Sequence, residues 1–349
     1  MTESNGDVAN GGAQTTIVCC IERGRLEPET LLMLETLRKW GGPLGRSRVL
    51  AVMPRRDRRL RPETLKALEG LEVEVHDASR YNKMRWFNWY GKVAAALLAE
   101  REATTPVVTW LDSDALIFGP LVELGLPHGD DFAARRETLP PCVRDDSGPT
   151  VEFWRRACRV VGLDWDEVPW LPADGPSPPQ RMYFNAGINA FRRGLGFAET
   201  YADCTLRLLR GRIADDSGSF WNSEQMSVTF AMLLRKMKCR ELPRAENHMV
   251  FDCHIEGPQA APSIADARLV HYGRSRNPDH WARFMERFRR ERPEHYDWLR
   301  ERGPLLAESG GRDPVHLARK IYRRLYTDVY AKQCRRATAD WKAGRADLS

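Results

Sequence analysis

The chain has 349 residues, 42% of them hydrophobic and 29% charged, a balance that suits a soluble globular protein and excludes a disordered or fibrous one. No uninterrupted apolar run in it approaches the length of a bilayer span. The net charge of +6 is local: residues 311–349 hold ten Lys or Arg against four Asp or Glu, which leaves 44 of each in the other 310 residues, so the body carries no basic surplus of the kind that binds nucleic acid.

The first fourteen residues, MTESNGDVANGGAQ, are small and polar with no apolar signal core; they read as a loose tail rather than an export signal. The eight cysteines form no CxxC pair and no regular spacing, which suits reduced thiols in a cytoplasm better than a disulfide framework or a zinc knuckle.

Thr15 to Ile21 predicts a short β-branched strand, followed by an amphipathic helix from Pro28 to Trp40 that stops at Gly41, Gly42 and Pro43. Ser47 to Met53 and Leu71 to Val75 read as further strands, separated by a helix opening at Pro62. This βαβ punctuation predicts an α/β fold with a mostly parallel sheet, whose ligands collect at the carboxyl ends of its strands. Lys83 to Ala99 reads as a helix and Pro106 to Leu111 as the central strand. Beyond Pro120 the alternation weakens. Asp131 to Arg135 and Met182 to Phe191 read as strands, Thr150 to Val161, Gly196 to Leu209 and Glu224 to Lys236 as helices, and Val168 to Gln180 as a Pro-rich loop. A strand near Arg268 to Tyr272 precedes a charged, helical section from Pro278 to the end.

The informative stretch is PVVTWLDSDALIFGP, Pro106 to Pro120, where an apolar strand runs into Asp112 and Asp114. Carboxylates at the end of a buried strand are costly unless a cation meets them, so a divalent metal at the mouth of the sheet is one account; a polar turn between two strands is the other. There is no GxGxxG after the first strand and no GxxxxGK[ST] anywhere, so neither a dinucleotide fingerprint nor a P-loop is present. Asn185, Ala186, Gly187 and Asn189 interrupt an apolar strand, and glycine there marks a bulge or the close approach of a ligand or another backbone.

Four segments in order, TWLDSDALIFGPL, YFNAGINAFRRG, SEQMSVTFAM and LVHYGRSRNPDHW, make the stretch from Thr15 to Trp281 similar to family 8 of the GT-A fold glycosyltransferases. The resemblance implies a GT-A-like (Rossmann-like) sheet flanked by helices, with a nucleotide-binding part over 15–118, an acceptor side over 119–277 and a basic helical extension over 278–349. It implies sugar transfer from a nucleotide-sugar, a UDP-sugar above all, with retention at the anomeric carbon. Mn2+, with Mg2+ as the other option, would be held by Asp112, Asp114 and His271, with Asp112 also within reach of the ribose. Cys20, Ile21 and Glu22 would lie under the base; Lys92, Ser113, Gly273, Arg274 and Arg276 would complete the donor site. Lys83 competes with Lys92 for that place. Glu224, Gln225 and Asn185 would lie near the reacting carbon. Two departures stand out: Glu224 occupies a position where the family has Asp, and the family's Lys-Pro-Trp ending is loosened here to Asn277, Pro278, Asp279, His280 and Trp281.

The acceptor, whether glycan, lipid or small metabolite, leaves no code in the sequence. Trp165 and Trp170 offer a sugar platform, or core; the same choice holds for Trp86, Phe87, Trp89 and Tyr90. Leu317, Ile321 and Leu325, with Tyr322, Tyr326 and Val329 beside them and Arg319, Lys320, Arg323 and Arg324 around them, form a basic amphipathic stripe that would rest on an anionic membrane or pack on its own domain. A different class remains: a haloacid dehalogenase-like phosphatase would use Asp112 as nucleophile with Asp215 and Asp216 as its acidic pair. A non-catalytic sugar-nucleotide binder is the third reading.

Overall fold

A computed structural model describes residues 15–57, 59–175, 177–215, 217–250, 263–273, 278–303 and 314–345. The strands are β1 (Thr15–Cys20), β2 (Arg48–Met53), β3 (Val73–Asp77), β4 (Val107–Leu111), β5 (Ala115–Ile117), β6 (Phe132–Arg136), β7 (Trp170–Leu171), β8 (Gln180–Arg181), β9 (Phe184–Arg192), β10 (Cys239–Glu241), β11 (His248–Met249) and β12 (Leu269–His271). The helices are α1 (Leu26–Trp40), α2 (Pro62–Gly70), α3 (Tyr90–Glu102), α4 (Gly148–Val161), α5 (Phe197–Arg210), α6 (Ser223–Leu234), α7 (Pro278–Glu291), α8 (Pro293–Arg300) and α9 (Pro314–Lys342).

Seven strands form the central sheet in the order β10-β6-β9-β4-β1-β2-β3. Neighbours pair in parallel except at β9, which runs antiparallel to both β4 and β6. Both faces are covered, as a parallel sheet requires. Ile17, Cys19, Val49, Ala51, Val107 and Leu111 pack with Met33, Leu34 and Leu37 of α1 on one side. Val18, Leu50, Val52, Val108 and Trp110 pack with the alanine-rich face of α3 and with α5 and α6 on the other. Cover on both faces explains why these segments read from sequence as short, near-continuous apolar and β-branched runs.

The alternation between the two faces breaks in β9. Phe184 and Ala186 face one core, whereas Ile188 and Ala190 face the other. Between the pairs Ala134↔Asn189 and Arg136↔Phe184, β6 advances two residues while β9 advances five. The resulting bulge spans Asn185 to Ile188 and turns its polar groups toward the end of β4.

A second sheet, β11-β12-β5, sets β12 antiparallel to β5 with His271 opposite Ala115. The strand expected from Leu71 begins instead at Val73, because Leu71 closes α2 and Glu72 turns the chain at φ 53°. The helix expected from Lys83 begins at Tyr90. Before it the chain makes successive turns, with the Phe87 N–H donating to the Met84 carbonyl at 2.8 Å and the Tyr90 N–H to the Phe87 carbonyl at 3.0 Å. The loop expected over Val168 to Gln180 is closed at its base by the β7–β8 pair.

The helix α9 lies against the body through its second half. Tyr330 sits between Trp86 and Phe220, with ring centroids 4.7 Å from each, and its hydroxyl donates to the Leu209 carbonyl. Cys334 and Thr338, four and eight residues on, are buried on the same face. The first half differs: Ile321, Tyr322, Leu325 and Val329 are all more than half exposed. Leu317, Arg319 and Lys320 lie outside the described side chains, and the N-terminal tail lies outside the described residues altogether.

Candidate active site

The carboxyl end of β4 and the end of β12 build the centre. Asp112 follows β4, and its N–H donates to the Gly187 carbonyl at 2.8 Å. The carbonyl of Asp114 accepts from the Tyr272 N–H at 2.9 Å, which pins His271 beside it across 157 residues of sequence. The imidazole Nε2 lies 3.1 Å from Asp114 Oδ1 and 4.0 Å from Asp112 Oδ2. One donor atom from each residue falls within 4.8 Å of the others. Two carboxylates and an imidazole at this spacing fit a divalent ion, and the nitrogen favours Mn2+ over Mg2+.

Gly187 is the residue that permits this crowding. A Cβ there would stand 2.4 Å from His271 Cε1 and 2.9 Å from Asp112 Oδ2, so any side chain at 187 would force the two donor groups aside. The glycine in the FNAG segment is therefore required by the approach of other side chains.

Asp112 is further held by two neighbours. Lys92 Nζ donates to Oδ2 at 2.8 Å, and the Trp110 indole N–H donates to Oδ1 at 2.9 Å. Burial raises its carboxyl above the ordinary aspartate range, which Lys92 opposes and Asp114 reinforces. Burial works against the Lys92 ammonium too, yet Asp112, Glu224 and Asp114 outweigh it and raise its pKa. The imidazole of His271 is likewise raised: burial disfavours its cation, and Asp114 and Asp112 more than offset that.

Glu224 lies in the first turn of α6 and is fully buried. It is not a helix cap. Asn222 precedes the helix without a side-chain bond to it, and the Glu224 carboxylate instead accepts from the Tyr201 hydroxyl of α5. Burial pushes its pKa up to about 7, with Lys92 and the Tyr201 hydrogen bond opposing. Gln225 Nε2 donates to the Tyr183 hydroxyl at 2.6 Å and to Glu137 Oε2 at 3.4 Å. Asn185 Nδ2 donates to the same Glu137 oxygen at 2.9 Å. The other oxygen of Glu137 accepts the N–H groups of Thr138 and Leu139. Glu137 thus orients both amides, and sequence reasoning missed it because a lone Glu after an arginine pair carries no pattern. Tyr201 was missed for a related reason: on an amphipathic helix it reads as core.

The remaining expected donor residues are placed as follows. Ile21 is buried in the core beneath the sheet, and Cys20 is partly buried over it. Glu22 gives both carboxylate oxygens to Arg55, at 2.6 and 2.5 Å. The Ser113 hydroxyl donates to Glu29 Oε2 at 3.5 Å. Gly273 follows His271 with φ 50°. Arg274 and Arg276 lie outside the described residues. Lys83 is exposed, and the ammonium that reaches Asp112 is that of Lys92. Trp165 is core, packed 6.0 Å from Trp154 and covered by the Arg181 guanidinium, which also lies over Trp170; it offers no platform. Phe87 and Tyr90 are core as well, whereas Trp89 is exposed.

The phosphatase reading fails on these contacts and on the comparisons below. Asp215 caps its own turn, accepting from the Ser217 and Ser219 N–H groups at 2.9 Å each. Asp216 lies outside the described residues.

No curated protein matches the chain. Among solved structures, mouse xyloside xylosyltransferase 1 is 11% identical, with 75% of this chain and 98% of that chain covered at a TM-score of 0.47. The galactosyltransferase LgtC, solved with donor and acceptor sugar analogues, is 14% identical over 79% of this chain and 96% of that chain, TM-score 0.42. The WbbM bifunctional glycosyltransferase is 14% identical over 83% of this chain and 51% of that chain, TM-score 0.48. A family model described as the Rhodobacterales glycosyltransferase domain matches residues 17–234, more than half of the sequence and all of the central sheet except part of β1 and β10. The chain is a glycosyltransferase enzyme with a mixed α/β fold and belongs to the Rhodobacterales glycosyltransferase domain family.

Proposed function

We propose that the chain transfers a sugar from a UDP-sugar to a hydroxyl of a glycan, lipid or small metabolite, with Mn2+ at Asp112, Asp114 and His271, and with retention in the manner of family 8. The observation that carries the reading is the convergence of those three donor groups within 4.8 Å at the carboxyl end of a parallel strand, where such sheets bind ligands. A divalent ion held by Asp112, Asp114 and His271 would supply Lewis-acid stabilisation to the departing diphosphate. Lys92 adds a fixed positive charge beside Asp112, at the place where leaving-group charge develops. Glu224 binds a hydroxyl of the donor sugar, and Gln225 and Asn185, their amides fixed by Glu137, flank the anomeric carbon. The base lies over Cys20 to Glu22, and Gly273, Arg274 and Arg276 belong to the diphosphate site. Residues 15–277 form the catalytic domain and 278–349 an extension to it.

Incubation with a panel of UDP-, GDP- and CDP-sugars, with Mn2+, Mg2+ or EDTA, tests the reading through release of the free nucleotide. UDP release that stops in EDTA supports it; no nucleotide released from any donor contradicts it.

The free state of all seven described cysteines suits a cytoplasmic enzyme, and no helix among the described residues is long and apolar enough to cross a membrane. The exposed stripe of Ile321, Tyr322, Leu325 and Val329, with Arg324 exposed beside it, supports peripheral contact with an anionic membrane. Co-sedimentation with phosphatidylglycerol vesicles should exceed that with phosphatidylcholine vesicles and drop in Ile321→Ser/Leu325→Ser. Equal binding to both vesicle types counts against the electrostatic part of this contact.

A further inference from the structure

We propose that Arg323 of α9, together with Arg55 and Asn88, forms a subsite for a phosphate-type anion at the mouth of the central sheet. Arg55 stands two residues beyond β2, and Glu22 two residues beyond β1. The Arg55 guanidinium binds both oxygens of Glu22 and donates to Asn88 Oδ1 at 2.9 Å. Arg323 arrives from the other end of the sequence, 235 residues away, and donates to the same Asn88 oxygen at 2.9 Å. Two guanidinium groups thus meet on one neutral acceptor, and the carboxylate among them is fully engaged by Arg55. Among the described residues no carboxylate lies within ion-pair reach of Arg323. Burial, then repulsion from Arg55, lowers its pKa below the ordinary arginine value, and Glu22 offsets this only in part.

Like charges are brought together at a cost that a bound anion removes. The position suits one: Asn88 lies four residues before Lys92, in the turns that lead into α3, and the Lys92 ammonium touches Asp112. The anion would therefore bind beside the proposed metal centre, on the side covered by α9. Arginine presents the forked donors that a phosphate group accepts. The helix is held in this place by Tyr330, Cys334 and Thr338 on its buried face, so Arg323 is delivered by packed structure rather than by a free tail. The phosphate would come from the donor's diphosphate or from an anionic acceptor; only that identity rests on the glycosyl-transfer reading.

The test uses the full-length protein and calorimetric titration. Pyrophosphate alone should bind the wild type, and Arg323→Gln should raise its dissociation constant at least about tenfold, the loss of one charge-assisted contact. Arg323→Lys, which keeps the stem and the charge but not the fork, should lose less. Unchanged ligand-free melting temperatures verify folding, and Arg323→Lys carries the test if the glutamine variant does not fold. UDP with Mn2+ weakened by the same factor, with uridine unaffected, assigns the subsite to the donor diphosphate. UDP unaffected, with glycerol 3-phosphate weakened on the UDP-saturated enzyme, assigns it to an acceptor phosphate. Failure of UDP to bind the wild type would count against the donor reading while leaving the pyrophosphate arm intact. No pyrophosphate binding by the wild type, or equal affinities in wild type and Arg323→Gln for every probe, overturns the proposal.

Discussion

Asp114→Ala is expected to cut UDP-sugar turnover by about a hundred- to a thousandfold, the range seen when one preorganised group is removed from a developing charge. Asp114 contributes an oxygen 3.1 Å from His271 Nε2, and its removal leaves Asp112 already engaged by Lys92 and Trp110. A single committed carboxylate and an imidazole make a poor site for a hard cation. Gly187→Ala should reproduce the defect without removing a donor atom, because its Cβ would collide with His271 Cε1 and Asp112 Oδ2. The checks are nucleotide release at saturating donor and Mn2+ titration of each variant. Turnover in Asp114→Ala within a factor of five of wild type would contradict a metal at this place.

Glu224→Gln is expected to be stabilising, increasingly so as the pH rises from 5 to 8. A glutamate has an ordinary value of 4.5, and burial pushes this one up to about 7. Between those values the folded chain holds a proton that the unfolded chain has released, so wild-type stability falls with rising pH and levels off above about 7. The whole interval corresponds to about 3 kcal/mol, an upper bound for a group that also faces Lys92. Glutamine keeps the shape and an acceptor for the Tyr201 hydroxyl and removes the titration. Melting curves at pH 5, 6, 7 and 8 should show the variant gaining on the wild type across this series; parallel profiles would show that Glu224 is ionised throughout. The same variant should lose turnover if Glu224 grips the donor sugar, which separates its catalytic contribution from its cost to the fold.

Strands β1, β2 and β4 were legible because both of their faces are covered, which makes them near-continuous apolar runs, as in Ile17, Val18 and Cys19. The Asp112 and Asp114 pair was legible because charge at the end of such a strand breaks its pattern. His271 could be tied to them only through ordered motifs, since nothing in a local window reveals that β12 pairs with β5. Glu137 and Tyr201 were opaque: each acts through a partner distant in sequence, Gln225 in one case and Glu224 in the other. The bulge in β9 was signalled by Gly187, but not its reason, because the atoms it admits come from Asp112 and His271. The tail stripe was read from its spacing alone. The helix instead buries the adjoining face of Tyr330, Cys334 and Thr338 and leaves Ile321, Leu325 and Val329 outside, a choice set by the aromatic groove of Trp86 and Phe220 that no helix periodicity encodes.

The measurement that bears most directly on the central claim is thermal denaturation of the wild type with UDP, with and without Mn2+. Ligands that bind the folded state raise its melting temperature by an amount that grows with the logarithm of free ligand over its dissociation constant. A donor site centred on Asp112, Asp114 and His271 predicts a rise with UDP and Mn2+ together that is larger than the sum of either alone and is absent in Asp114→Ala. A melting temperature unmoved by any nucleoside diphosphate, or moved equally with and without metal, would contradict it.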